Sequence, residues 1–292
     1  AHAAMAADEP ALTAQEVLLK TKQVYRDLQT YESRGTAEVT MQAGGRQVSL
    51  KTEFSIRLQK PSRFLIKWTQ HIEGAPIGPM DGAAWSDGTQ AFVYLGSIRA
   101  YGKVGDDMTA IGAATGVSAG AAWTVPTLFL ESAQQFPMKQ IEMMAPTLGP
   151  EETMGGDASY VIRGATGVWQ DTTIWISKKS FLIRKYMHTL EHAQDQKNMA
   201  ELTDEQLDEA AKEMGLEPGE ASRARVRELT SRAQAIVNAN QNPGTMVEIH
   251  EQVATPDLTA ADFKFEVPAG VELKESLFGD LLKSQPVAKP EP

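Results

Sequence analysis

Two short motifs in this chain have the residue types and spacing of known hydrolytic sites. The first is Gly116-Val117-Ser118-Ala119-Gly120, which matches the G-x-S-x-G pattern around a serine nucleophile. That chemistry needs a strand before the serine and a helix after it, so that the hydroxyl lies on a strained turn. The flanking segments, AIGAAT and AAWTVP, predict no such strand, and the chain lacks the repeated βα units of an α/β-hydrolase. We therefore interpret this match as a product of local glycine- and alanine-rich composition.

The second motif is His188-Thr189-Leu190-Glu191-His192, the H-x-x-E-H arrangement of inverted zincins. On a helix, two histidines four residues apart share a face and could bind Zn²⁺, while Glu191 activates water. The preceding residues, FLIRKYM, predict a strand instead, and neither Glu213 nor Glu220 stands out as a third ligand. We expect no catalytic residue, metal or cofactor, and a zinc hydrolase at His188 and His192 is the least favoured alternative.

The remaining polar candidates predict solvated positions rather than a site. His250 alternates with Glu248 and Gln252, which is typical of the polar face of a sheet. Asp106 and Asp107 begin a glycine- and alanine-rich stretch without clear periodicity, DDMTAIGAATGVSAGAAW, which we interpret as a mobile loop.

Composition excludes several classes of function. The net charge of -10 and the pI of about 5.1 argue against a nucleic-acid surface, because no basic stripe offsets the acidic residues. The absence of cysteine excludes disulfides, thiolate metal sites and cysteine nucleophiles. No apolar run approaches the roughly 20 residues that a transmembrane helix requires. The first residues, AHAAMAADEP, resemble the small-residue end of a signal peptide, which predicts a periplasmic protein.

Long alternating strands dominate the first third of the chain. In VSLKTEFSIRLQKPSRFLIKW, which starts at Val48, apolar and polar residues alternate with the period of two that is typical of a strand. Lys60-Pro61 interrupts the pattern, and Ser86-Asp87-Gly88 predicts a turn before the next strand, Ala91 to Leu95. Such strands, with no catalytic constellation in them, indicate a curved antiparallel sheet around an apolar interior.

Helices and further strands surround this sheet. Thr13 to Gln29 predicts an amphipathic helix with a Thr13/Glu16 capping box, and Thr124-Val125-Pro126 predicts the start of a second, short helix. We expect strands at Lys139–Met144, Ser159–Arg163, Thr172–Ser177 and Phe181–Leu190, and again around Val247–Val253 and Phe263–Val267.

The domain organisation follows from a break in this pattern. Residues 11–276 predict a single domain, into which a helical hairpin is inserted at 191–242, between two neighbouring strands. Residues 277–292 are rich in proline and predict a disordered tail or linker.

Five segments in a fixed order carry a resemblance to a known family. They are QEVLLKTKQVYRDLQTYES followed by Gly35-Thr36, FSIRLQKPSRFLIKW with its basic residue before proline, SDGTQAFVYL, TVPTLFL and AADFKFEVPAGVELKE. Together they resemble the lipoprotein-carrier superfamily of bacterial envelopes (LolA, LolB and related predicted periplasmic proteins). The resemblance covers roughly residues 13 to 276 apart from the hairpin. Lys60 stands where LolA has an arginine, so the chain resembles a divergent relative.

The resemblance implies a fold and a function. The expected fold is α+β, a curved antiparallel half-barrel sheet with helices that cover its concave face, plus the inserted hairpin. The expected function is non-catalytic binding of a lipid, acyl chain or lipoprotein in an apolar cavity, as in a carrier. An envelope sensor or scaffold that binds a protein partner through the hairpin is the alternative. We expect ligand contacts from Phe54, Ile56, Leu58, Lys60, Phe64, Ile66, Trp68, Phe92, Tyr94, Leu128 and Phe129.

Overall fold

The computed structural model describes residues 12–43, 46–73, 78–133, 141–166, 171–190, 203–213, 217, 219–224, 226–227, 244–275 and 277. Within them, the α-helices are α1 (Ala14–Asp27), α2 (Asp107–Val117), α3 (Thr124–Phe129) and α4 (Asp204–Glu213). The first strands are β1 (Thr30–Ala43), β2 (Arg46–Gln59), β3 (Arg63–Ile72), β4 (Met80–Asp87), β5 (Ala91–Leu95) and β6 (Ala100–Val104). The later ones are β7 (Met144–Leu148), β8 (Glu152–Met154), β9 (Asp157–Ala165), β10 (Thr172–Ser177), β11 (Ile183–Leu190), β12 (Gly244–Ala254) and β13 (Glu272–Lys274). No helix among these residues is long and apolar enough to cross a bilayer.

The strands form one open sheet in the order β13-β6-β5-β4-β3-β2-β1-β12-β11-β10-β9-β7, with β8 paired to β9. All pairs are antiparallel except β13 with β6. β1 to β6 form a meander of consecutive neighbours, and β12 returns from the far end of the chain to pair with β1. The predicted α+β class with an open antiparallel sheet is confirmed.

Both faces of the sheet are covered, by different parts of the chain. The inner face packs against α1, α2 and α3 and contains the larger apolar cluster. The outer face carries a smaller cluster around Leu65, Trp85 and Tyr94, against which residues 258–271 pack. We call these residues the strap. Two side chains of β2 bind the strap: Arg57 donates to the carbonyl oxygen of Asp262 (3.5 Å), and Gln59 donates to that of Leu258 (3.0 Å).

Three segments differ from the prediction. The expected loop after Asp106 begins with α2, because Asp106 caps the helix by accepting from the Thr109 amide (2.7 Å) and alanine favours helix. Of the strand expected at Lys139–Met144, residues 139–140 lie outside the described residues and residues 141–143 are not in a strand, so β7 begins at Met144. The strand expected at Phe263–Val267 is instead a 3-10 turn (Ala260–Phe263) and extended strap, whose apolar side chains pack on the outer face.

Other elements agree with the prediction. α1 begins at its predicted capping box, in which Thr13 and Glu16 bond reciprocally. β1 and β2 pair along their whole length, and β3 follows them. The N-terminal residues 1–11, most of the predicted hairpin at 191–242, and nearly all of the predicted tail lie outside the described residues.

Gly82 provides a test of the packing on the inner face. A Cβ atom at Gly82 would lie 2.0 Å from Cζ2 of Trp68, whose indole covers the glycine. We expect Gly82→Ala to destabilise the fold by about 1–3 kcal/mol in chemical denaturation, because the ring has to move out of a packed core. Gly112→Ala in α2 is the control, since nothing lies within 4 Å of its added Cβ, and it should stabilise by roughly 0.5–1 kcal/mol. Equal stabilities for the two variants would contradict this packing.

Candidate functional site

The inner face of β2 and β3 is a continuous apolar floor. It consists of three cross-strand pairs, Phe54 with Trp68, Ile56 with Ile66, and Leu58 with Phe64. Each of these side chains is at most 5% exposed. Six of the predicted ligand-contacting residues therefore share one buried surface, which we call the floor.

The helix α3 places two more predicted residues above the inner face. Phe129 is fully buried, with its ring centroid 6.4 Å from that of Tyr31, and Leu128 is partly buried against the same cluster. We call residues 107–133, which contain α2 and α3, the cover. In this structure the cover packs directly on the sheet.

Lys60 lies at the edge of the floor and is bound to α1. Its ammonium donates to the carbonyl oxygens of Tyr25 (3.3 Å) and Arg26 and lies 5.3 Å from the ring centroid of Phe129. It thus satisfies carbonyl groups at the C-terminal end of the helix, where a cation is favourable. Burial lowers the pKa of Lys60 from its usual value.

Phe92 and Tyr94 do not share the inner face with the other candidates. They pair with Trp85 and Ala83 of β4 and belong to the outer cluster under the strap. These two expected ligand contacts therefore lie on the opposite face of the sheet from the floor. The alternate residues of β5, Ala91, Val93 and Leu95, line the inner core. Both faces of β5 are therefore apolar, and alternation alone could not show which face Phe92 and Tyr94 occupy.

A polar network missed by the sequence analysis lies inside the inner face. The Nε2 atom of His250 is 2.8 Å from Oε1 of Glu248, and both side chains are fully buried. The Nδ1 atom of His250 lies 3.1 Å from the Ser33 hydroxyl and 3.4 Å from the Tyr31 hydroxyl. Thr124, at the start of α3, donates to Oε2 of Glu248 at 2.5 Å. A chain of polar contacts thus connects the cover with β12 and β1.

Small residues on β1 make room for this network. Gly35 lies opposite His250, and Ala37 lies opposite Glu248. A Cβ atom at Gly35 would lie 1.8 Å from the Ile249 carbonyl oxygen, so the close approach requires glycine. The prediction of a solvated face for His250 is wrong, because Glu248 and His250 lie next to each other in the core, and two buried polar residues have the same alternation as a wet face.

Ser33, His250 and Glu248 follow the order of a serine–histidine–acid relay, but the surroundings do not suit catalysis. A hydrolase needs a reachable serine and hydrogen-bond donors at the developing oxyanion. Ser33 is 1% exposed in the interior of β1, whose backbone pairs with β2 and β12 on its two sides. These polar contacts can instead stabilise the packing of the cover against β1 and β12.

Buried tyrosines surround the network. The Tyr25 hydroxyl accepts from the backbone N–H of Ile183 (3.1 Å), and its ring lies 5.7 Å from that of Tyr31. Burial, with a smaller contribution from the Glu248 carboxylate, raises the pKa of Tyr31 and of Tyr186. The phenols therefore remain neutral hydrogen-bonding groups at physiological pH.

The two hydrolytic motifs do not have the local structures that their chemistry needs. Ser118 follows a helix, not a strand, and its hydroxyl donates to Thr115 (3.3 Å) and accepts from the Ala122 amide (3.1 Å). His188 lies on β11, so the helical spacing of a zincin does not apply to it, and His192 lies outside the described residues. Within the described residues, no group of three ligating side chains could hold a metal.

Two arginines in the described part of the insertion pair with aspartates of α4. Arg223 contacts Asp204 (2.8 Å) and Asp208, and Arg227 contacts Asp204 (2.8 Å). These two arginines therefore connect the second helical stretch with α4.

Residues 14–217 match the model of the family described as "Predicted periplasmic protein (DUF2092)". The chain belongs to this family. This DUF2092 member is accordingly periplasmic, as the sequence predicted. No functionally curated protein is significantly similar to it.

Several solved structures are similar to this DUF2092 chain. An uncharacterized conserved protein from Thermus thermophilus has 8% identity and a TM-score of 0.40, with 90% of this chain and 98% of that chain covered. A LolA superfamily protein from Nitrosomonas europaea has 10% identity and a TM-score of 0.29, with 87% and 99% covered. The MucA/MucB complex of Pseudomonas aeruginosa has 11% identity and a TM-score of 0.32, with 60% and 50% covered. The superfamily that the sequence motifs resemble is thus represented among these structures.

His188 gives a test of burial through the pH dependence of stability. Burial lowers its pKa to about 4, and its ring meets that of Tyr186 edge-on at 5.6 Å. Between pH 6.5 and 4 the unfolded chain binds a proton that the folded protein does not, so stability falls as the pH decreases, by roughly 3 kcal/mol. We expect His188→Gln to remove this part of the slope in denaturation curves measured from pH 7 to 4. The exposed His71→Gln variant should keep the wild-type slope, and an unchanged slope in His188→Gln would contradict the assignment.

Proposed function

We propose that this periplasmic protein binds a lipid, an acyl chain or the acyl part of a lipoprotein on the floor, without catalysis. The observation that carries the proposal is the floor itself, six large apolar side chains of two neighbouring strands that belong to one buried cluster with residues of the cover. The motifs shared with lipoprotein carriers support the same function. The ligand would take the place of the cover above the sheet.

The composition of the cover suits displacement. α2 has the sequence DMTAIGAATGV, so its contact with the sheet is made by the small residues Ala110 and Ala114 together with Ile111. Small side chains bury little area each, so their separation from the sheet costs less than that of large ones. At α3, the Thr124–Glu248 hydrogen bond and the ring of Phe129 hold the cover down.

The energy available from an acyl chain is large enough to compete with these contacts. Burial of one CH₂ group contributes about 0.8 kcal/mol, so a chain of about fifteen carbons gains on the order of 12 kcal/mol before costs. Displacing the whole cover exposes the buried side chains of Ile111, Trp123, Val125, Phe129 and Leu130, at about 1.5–3 kcal/mol each, so the total cost is close to what the acyl chain gains. A long chain can therefore compensate for opening of the cover, whereas a short one cannot.

Lys60 would contribute the polar contact at the edge of the floor. The Lys60 ammonium lies beside the ring of Phe129, so movement of the cover would expose this ammonium to a ligand. A head group with an acidic or ester oxygen could then accept from it in place of a helix carbonyl.

The direct test is native mass spectrometry of gently purified full-length chain, followed by solvent extraction. We expect extra mass that resolves to phospholipid or acyl species, and refilling of the delipidated chain by long-chain but not short-chain fatty acids. A protein that is purified without bound lipid and that binds no long-chain amphiphile would refute the proposal.

Thr124 tests the role of the cover. Thr124→Val keeps the side-chain size but leaves Oε2 of Glu248 buried without this donor, which costs about 1–3 kcal/mol. We expect faster amide exchange over residues 107–133, by about tenfold, and faster acyl-chain uptake. Thr127→Val is the matched control, because the Thr127 hydroxyl donates to carbonyls of its own helical turn, that of Trp123 at 2.7 Å and that of Thr124 at 3.3 Å, and makes no hydrogen bond with the sheet among the described residues. Equal exchange in the two variants would show that the hydrogen bond does not hold the cover.

A second function, binding of a protein partner through the insertion, is favoured by one observation. Leu190 and Gly244 are cross-strand neighbours, so the chain leaves and re-enters the sheet at adjacent positions and the sheet does not need the insertion.

Replacing residues 191–243 by Asn-Gly, a two-residue hairpin turn, separates the two functions. If the insertion docks a partner, envelope proteins that co-purify with the full chain should be lost from the shortened chain while acyl binding remains. Loss of acyl binding in a shortened chain that still unfolds cooperatively would show instead that the insertion belongs to the lipid site.

A further inference from the structure

A second concave site lies on the outer face of the sheet. It is a groove of about 580 Å³ between β1–β4 and the strap, within the size range of small-molecule sites. Phe54 and Trp68 of the floor contribute to its lining, but its charged residues alternate with them along the strands and so belong to the opposite face of the sheet.

Two cations flank a hydroxyl at the base of this groove. The register places Arg34, Ser55 and Lys67 side by side on β1, β2 and β3. Neighbouring strands are about 4.8 Å apart, so the long side chains of Arg34 and Lys67 can converge above Ser55. Lys67 is exposed and forms no ion pair with any described residue, and Arg34 has only a 3.9 Å contact with Glu32. Two cationic donors and a hydroxyl in one row are suited to the oxygens of a phosphate.

An acidic row runs parallel to this cationic row. Glu53, Thr69 and Asp81 are cross-strand neighbours on β2, β3 and β4. Glu53 lies two residues from Ser55 on β2, and Thr69 lies two residues from Lys67 on β3. The Thr69 hydroxyl donates to Asp81 at 2.8 Å and so holds this carboxylate at the groove. Two residues of strand span about 6.7 Å, so positive and negative side chains face the same groove at that separation.

An apolar wall completes the groove. Tyr94 and Phe265 lie with their ring centroids 5.4 Å apart, and Leu65 and Pro268 lie beside them. Phe265 and Pro268 come from the strap, so the wall is built by the strap and β5 together. The groove therefore presents a cationic row, an acidic row and an apolar wall to one occupant.

We infer that the groove binds a zwitterionic amphiphile, a phosphate–ammonium head group of the phosphoethanolamine type that carries an apolar chain. The phosphate would accept from Arg34, Ser55 and Lys67, and the ammonium would donate to Glu53 and Asp81. The chain would lie against Tyr94 and Phe265. A purely anionic head group suits the groove less, because it would meet the uncompensated acidic row.

The test uses three soluble probes with the full-length chain, in calorimetric titration below the micelle concentration. Dihexanoyl phosphatidylethanolamine has the head and chains, glycerophosphoethanolamine has the head alone, and dihexanoyl phosphatidylglycerol has an anionic head. We expect the first probe to bind at least about tenfold tighter than either of the others, since each of them lacks one set of contacts. Equal affinity for the glycerol head would overturn the zwitterion assignment, and equal affinity for the head alone would indicate a free solute rather than a lipid.

Variants locate the binding in the groove. We expect Arg34→Ala/Lys67→Ala to weaken the ethanolamine lipid by about tenfold or more. Glu53→Gln/Asp81→Asn should remove its preference over the glycerol lipid. Lys103→Ala, an exposed lysine outside the groove lining, is the control and should bind normally. Wild-type affinity in both double variants would overturn the inference, and because none of these residues touches the floor, acyl binding there should not change.

Discussion

The pairing of β1 with β12 is the contact on which the rest of the structure depends. It joins the β1–β6 meander to the strands that follow the cover, so without it the sheet would be two separate halves. The Glu248 and His250 side chains are buried at this junction, where polar groups destabilise the fold unless hydrogen-bond partners offset the loss of water. Ser33, Tyr31 and Thr124 supply such partners from β1 and from the cover. A shifted register would remove them, so the network selects one alignment of the two halves.

The same network links the sheet to the cover, the segment that would move in the proposed acyl binding. Thr124 is the first residue of α3, and its hydrogen bond ends on the carboxylate that faces His250. The cover is therefore attached at a polar point, while its remaining contacts are apolar and non-directional. The Thr124–Glu248 hydrogen bond is directional and is lost when Thr124 moves away. The apolar contacts are not directional and can be replaced by another apolar surface such as an acyl chain.

Burial on both faces gives the sheet two chemically different surfaces. The inner face is apolar and is closed by helices, and the outer face is closed only in part, by the strap. Where the strap ends, charged rows of β1 to β4 remain open beside aromatic side chains. One face is thus suited to long apolar chains, and the other to a charged head group.

Local patterns determined much of this protein. The capping box of Thr13 and Glu16 set the start of α1, because its signal acts between residues close in sequence. Alternation likewise set β2, β3 and β5 and the shared face of Phe54, Ile56 and Leu58. The family motifs also indicated the periplasmic class correctly. Tertiary structure decided which face Phe92 and Tyr94 occupy, since the strap buries the outer face and makes both parities apolar. It also decided that Glu248 and His250 are internal, because they are satisfied by Ser33 and Thr124, residues more than 100 positions away that no local pattern connects to them.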